Sequence, residues 1–136
     1  MSDFVLHPQL KADTHWVSDL ELCQVLLMND AQYPWLILVP RLPGIREIYE
    51  LSHEQRQQLW SESDRVSAVL LACFQPDKLN IAALGNMVSQ LHIHHIVRYS
   101  TDAAWPAPVW GKFPPIPYTS MRLAERLSSL CEKLNT

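Results

Sequence analysis

The chain has 136 residues and a formal net charge of -3, with 48% hydrophobic and 18% charged residues. That length suits one domain with a single core, and the apolar content excludes a disordered chain. The mild negative charge gives no general reason to bind nucleic acid polymers or acidic membranes, and no apolar run approaches the roughly 20 residues of a membrane span.

The start, Met1-Ser2-Asp3-Phe4, lacks a basic region and a long apolar stretch, which argues against secretion. From Asp19 to Asn29, Leu20, Leu22, Val25, Leu26 and Leu27 suggest a strand, and Asn29-Asp30-Ala31-Gln32-Tyr33-Pro34 supplies turn residues. Trp35-Leu36-Ile37-Leu38-Val39 is a short apolar run ended by Pro40, as in a buried strand. The two strands form an antiparallel hairpin, and Pro43-Gly44 marks the loop after it. Ser52-His53-Glu54-Gln55 has the form of a capping box, in which side chains satisfy orphan backbone donors at a helix start. Leu59, Ser63, Val66, Leu70 and Cys73 then recur at three- and four-residue steps, predicting a helix over Ser52–Phe74. Gln75-Pro76-Asp77 stops it.

Lys78–Leu84 reads as a further strand, Gly85-Asn86 as a turn or bulge, and Val88–Tyr99 as a strand rich in histidine. Trp105-Pro106-Ala107-Pro108-Val109-Trp110-Gly111-Lys112-Phe113-Pro114-Pro115 is neither helix nor central strand, because proline removes donors and fixes φ. Its tryptophans favour an ordered loop. Leu123, Leu127, Leu130 and Leu134 give a final helix over Tyr118–Lys133. The whole, residues 1–136, is expected to be one α+β domain with a mainly antiparallel sheet of about five strands, one long helix and a C-terminal helix, the helices on one face. Cys23, Cys73 and Cys131 lie far apart in apolar contexts, which reads as buried small side chains in a reducing cytoplasm rather than a zinc site.

The most informative stretch is Gln90-Leu91-His92-Ile93-His94-His95-Ile96-Val97-Arg98. Side chains alternate across a strand, so Gln90, His92 and His94 are expected on one face and Leu91, Ile93 and His95 on the other. Three readings of His92 and His94 are open. They are satisfied polar residues on a half-exposed strand; or they begin a metal site, for which further ligands are needed and no carboxylate lies nearby; or they serve phosphoryl chemistry, in which one imidazole attacks phosphorus and its neighbour donates hydrogen bonds. The last needs no metal or other cofactor. His7, His15 and His53 fall outside any such cluster.

This stretch resembles the motif of the histidine triad (HIT) family, His-φ-His-φ-His-φ-φ, often followed by proline and arginine. Trp35–Arg41 and Leu79-Asn80-Ile81 resemble the family's other strands, so the resemblance covers most of the chain. It implies an α+β fold, usually a homodimer, that hydrolyses or transfers nucleoside monophosphate groups. Substrates would be dinucleoside polyphosphates such as diadenosine tetraphosphate, or nucleoside phosphoramidates. By position, His92 would be the nucleophile that forms a nucleotidyl-histidine, and His94 the residue contacting phosphate or leaving group. Gln90 stands where the first histidine sits; an amide hydrogen-bonds there but carries no proton. Asn29 would hold the ribose hydroxyls, Asn86 would contact phosphate, and Arg98 would neutralise it. Each also has a plainer reading, as a turn residue or a strand-end arginine. Trp35 replaces a histidine of the family pattern, and the loops before it and before the triad are short. Trp105 and Trp110 would cover the pocket or pack beneath the sheet. The alternative is a nucleotide-binding module with little or no turnover, motivated by Gln90 and the altered loops.

Overall fold

Five strands make one sheet in the order β1-β2-β3-β5-β4, each neighbouring pair antiparallel. They are β1 (Thr14–Asp19), β2 (Cys23–Met28), β3 (Trp35–Pro40), β4 (Lys78–Ala82) and β5 (Ile93–Arg98). The helices are α1 (Pro8–Asp13), α2 (His53–Phe74) and α3 (Ser120–Leu134). The computed structural model describes residues 3–135; Met1 and Ser2, where the secretion reading began, and Thr136 lie outside that range.

Local sequence accounts for most boundaries. Ser52 caps α2 through the expected box, its hydroxyl accepting from Gln55 N while Gln55 Oε1 accepts from Ser52 N. The helix ends on Gln75 in the left-handed region, where its N–H still reaches Leu71 O. The hairpin of β2 and β3 is as expected, with Val25 opposite Leu38 and Leu26 opposite Ile37.

Two elements depart from the sequence reading. The first strand, β1, has no counterpart in the sequence reading: its register shifts between Trp16 and Ser18, so Val17 and Ser18 are buried in succession and the alternation breaks. The histidine strand is shorter than Val88–Tyr99: residues before Ile93 leave the ladder, and Leu91 N donates instead to Ile45 O at 2.9 Å. Gln90 and His92 therefore both lie before β5, and the expected single strand face of Gln90, His92 and His94 is not formed.

Both sheet faces are covered. Helices α2 and α3 pack on the face carrying Val25, Leu36, Leu38, Ile93 and Val97. Here Glu62 of α2 accepts from Leu22 N and Cys23 N, both at 2.8 Å, fixing the turn between β1 and β2. Burial first, and the Glu62 charge second, push the Cys23 thiol well above its ordinary range, so it stays a neutral core residue. The opposite face carries Leu26, Trp35, Ile37 and Ile96 and is covered by Leu10 of α1 and by Ala104 and Val109 of the proline-tryptophan loop.

Arg98 ends β5 on that second face, and its buried guanidinium organises the loop. It donates to Asp102 through Nε at 2.8 Å and through a terminal nitrogen at 3.1 Å, to Asn80 Oδ1 at 2.8 Å and to Ala107 O at 2.8 Å. The rings of Tyr33 and Trp105 lie 5.8 and 5.7 Å from it. Burial alone would raise the Asp102 carboxyl; hydrogen bonds from Arg98 and from the N–H groups of Tyr99 and Trp105 outweigh it and hold the carboxyl below its usual range. Asp102→Ala leaves the guanidinium buried without its counter-ion. The expected loss is about 3–5 kcal/mol of unfolding free energy, read by urea denaturation at neutral pH. A loss under about 1 kcal/mol would show that the loop is held by other contacts.

Candidate functional site

His92 and His94 come together on the loop-covered face of the sheet. Their ring centroids are 4.9 Å apart and the planes are inclined at 71°. Both are buried, and both line a cavity of about 450 Å³. Its walls come from Gln9, Leu10 and Asp13 of α1, from Leu84–Val88, and from Met28 and Trp110. Asn86 lines the same cavity as the two imidazoles. A second cavity of about 410 Å³ adjoins the first, sharing Asp13, Met28 and Trp110 with it. Asn29 lines this second space, and its Oδ1 accepts from Tyr118 N at 3.0 Å, so it also ties down the chain leading into α3.

The hydrogen bonds of His92 define its tautomer. Its Nδ1 lies 2.7 Å from Gln90 O, and a carbonyl oxygen only accepts, so Nδ1 carries the proton. The in-plane lone pair of the neutral ring is then on Nε2. His94 Nδ1 is 3.0 Å from the indole nitrogen of Trp35, and its ring lies 5.1 Å from that of Trp110. Burial, and then the neighbouring His92 and His95, hold the His94 pKa down to about 3.

His95 faces α2, as alternation requires. Its Nε2 is 2.7 Å from Ser63 Oγ and its Nδ1 is 3.1 Å from Ile93 O. Burial lowers its pKa to about 4, the hydrogen bond to Ile93 offsetting only part of the effect.

Two expected site residues are placed elsewhere. The side chain of Gln90 turns to the N-terminal segment, Oε1 accepting from His7 N and Nε2 donating to Val5 O, both at 2.9 Å. Only its backbone carbonyl meets His92. Arg98 is on the same sheet face but does not line either cavity, and its donors are spent on Asp102, Asn80 and Ala107. The expectation that it neutralises phosphate is corrected by this packing. Three contributors were not foreseen: α1 with Asp13, the indole of Trp35 at His94, and the wall made by Met28. Trp35 was signalled in the sequence, as the tryptophan in a histidine's place. Among the described residues, no group of three or more His, Cys, Asp or Glu side chains is placed to hold a metal ion, and no helix is long and apolar enough to cross a membrane.

A family model described as the HIT domain matches residues 9–101. Among solved structures, a histidine triad protein from Marinobacter aquaeolei VT8 is 57% identical, with a TM-score of 0.95 over 97% of this chain and 96% of that one. A histidine triad protein from Bradyrhizobium japonicum is 48% identical, with a TM-score of 0.94 over 96% and 98% of the two chains. A third, from Sinorhizobium meliloti 1021, is 39% identical, with a TM-score of 0.93 over 96% and 97%. No curated protein matches the chain.

The two depressed imidazoles make stability depend on pH. Below the ordinary histidine value of 6.5 the unfolded chain takes up protons that His94, near 3, and His95, near 4, refuse in the fold. Stability is therefore full above about pH 6.5 and falls as pH drops toward 4. Unfolding free energies from urea denaturation at about pH 7.5 and pH 5 should differ by about 2 kcal/mol for each imidazole, and His95→Gln should remove its share of the difference. Equal stability at the two pH values would mean that the rings charge within the fold.

Proposed function

The chain belongs to the HIT family, whose members generally bind nucleotides and hydrolyse or transfer them, and on that premise we propose that it is a nucleotidyl hydrolase or transferase working through a nucleotidyl-His92 intermediate. The observation that carries this is the hydrogen bond from His92 Nδ1 to Gln90 O, which leaves the Nε2 lone pair to act as nucleophile beside the cavity. Nε2 attacks the α-phosphorus of a nucleotide; a P–N bond forms, and the bond to the leaving group breaks with its electron pair on the departing atom. Water, or another acceptor, then attacks the same phosphorus. The P–N pair returns to Nε2, the acceptor's proton passes to solvent, and nucleoside monophosphate is released.

The other side chains take roles around that exchange. His94, 4.9 Å from His92 between ring centres, hydrogen-bonds the phosphate or the leaving group. Asn86 contacts phosphate from the same cavity wall, and Asn29 holds the ribose in the adjoining cavity. Gln90 stands at the first triad position and acts as a positioning residue, through its carbonyl on His92 and its amide on residues 5–7. Two adjoining cavities of about 450 and 410 Å³ suit a dinucleoside polyphosphate such as diadenosine tetraphosphate, or a nucleoside phosphoramidate. Residues 1–136 act as one domain, paired as a homodimer in the manner usual for the family, in a cytoplasm that keeps Cys23, Cys73 and Cys131 as free thiols.

A nucleotide-binding module with little turnover is the second reading, favoured by the commitment of the Gln90 amide to the N-terminal segment rather than to proton transfer. Base-quenched reactions with α-labelled diadenosine tetraphosphate separate the two. Label should appear on the protein in the wild type and vanish in His92→Ala, with kcat falling by roughly three orders of magnitude or more. Unchanged turnover in His92→Ala would remove the nucleophile assignment. Tight mononucleotide binding without label or turnover in the wild type would favour the binding module.

A further inference from the structure

Trp35 opens β3 and reaches diagonally across the strand pair to β5, where its Nε1 lies 3.0 Å from His94 Nδ1. An indole nitrogen donates and cannot accept, so Nδ1 of His94 must be bare and the ring's one proton must sit on Nε2. Protonating His94 would require a hydrogen on Nδ1, directly opposed to the indole hydrogen. Both aromatic neighbours hold the ring in this orientation, Trp35 at 5.6 Å and 59° and Trp110 at 5.1 Å and 75°. We propose that Trp35 is a positioning residue that fixes His94 as a permanently neutral Nε2–H donor, and that the protein thereby selects nucleotide anhydrides over phosphoramidates of alkylamines.

The selection follows from what such a donor is able to do. It hydrogen-bonds an oxyanion, but giving up its only proton would leave an imidazolate, so it is no general acid near neutral pH. A polyphosphate leaves with the bond's electron pair on oxygen and needs only that hydrogen bond. An alkylamine leaves phosphorus only if its nitrogen gains a proton. The other groups around His94 do not replace the missing acid. His92 is the nucleophile, with its Nδ1 proton on Gln90 O. His95 is behind the strand on Ser63. Asp13, on the cavity wall, accepts at Oδ2 from Gln9 Nε2 at 2.9 Å. Gln90 holds no transferable proton.

This inference rests on the nucleotidyl-transfer reading for its kinetic half and on geometry alone for its tautomeric half, so the two fail separately. Nitrogen-15 NMR of histidine-labelled protein should show His94 with Nε2 protonated and Nδ1 bare, unchanged from about pH 5.5 to 8. A wild-type His94 with a protonated Nδ1, or one titrating in that window, would overturn the proposal whatever the activity. Trp35→Phe, and replacement of the indole by benzothiophene, which keeps the shape and loses the N–H, should release a mixture of tautomers in His94, burial still keeping the ring neutral. The wild type should favour diadenosine tetraphosphate over an adenosine 5′-phosphoramidate of a simple alkylamine by at least about 100-fold in kcat/KM. That ratio should fall by about tenfold or more in the benzothiophene protein, through a drop in the anhydride rate as the Nε2–H donor is lost. An unchanged ratio, or fast amine release abolished by Asp13→Asn, would overturn the selection. Turnover of neither substrate would remove the nucleotidyl-transfer reading and the selection with it, the tautomer then being judged on the resonances alone.

Discussion

Strand β5 carries no exposed residue, yet three of its six side chains are His94, His95 and Arg98. A buried polar group without a partner costs about 1–3 kcal/mol, and a buried charge more, so each of these has to be met by another part of the chain. The partners come from different elements. Ser63 on α2 meets His95, Trp35 on β3 meets His94, and Asn80 on β4 with Asp102 and Ala107 of the following loop meets Arg98. The same demand thus fixes the long helix on one face, the loop on the other, and both neighbouring strands. The site is a consequence of this satisfaction: the loop ordered by Arg98 carries Trp110, which then forms a wall of both cavities.

The cavity has an uncommon electrostatic character for one that lines its floor with imidazoles. No lysine or arginine lines the larger space among the described residues, and Arg46 lines a separate small recess with His92 and Gln90. Its second imidazole is held neutral, chiefly by burial. Negative charge entering there meets oriented donors rather than fixed cations. Such donors discriminate by where charge develops, since they need no reorganisation at the moment of reaction.

Much of the framework was legible because it depends on local pattern. The capping box at Ser52 and Gln55, the apolar run from Trp35, and the opposite facing of His94 and His95 all follow from periodicities of one strand or one helix. What escaped depends on contacts distant in sequence. A bulge at Val17 hid β1 by breaking alternation. Arg98 looks identical in sequence whether it faces a ligand or Asp102, and only the return of the loop four residues later decides it. The route of Gln90 is set 83 residues away, at His7. The wall supplied by α1 was hidden for the same reason, since six residues opening on a proline carry too little periodicity to reveal a face.

Gln90 shows what an amide side chain holds that an imidazole cannot. Val5 O and His7 N are an acceptor and a donor two residues apart on one segment, and the planar end of a glutamine offers the complementary donor and acceptor together, much as a peptide group does. An imidazole presents its donor and acceptor on opposite sides of a ring and cannot span that pair. The segment so held leads directly into α1, which His7 caps by accepting from Gln9 N at 3.0 Å. Gln9, Leu10 and Asp13 follow on the cavity wall. The carbonyl of the same glutamine orients His92. One residue therefore sets both the direction of the His92 ring and the position of the segment that leads into the α1 wall.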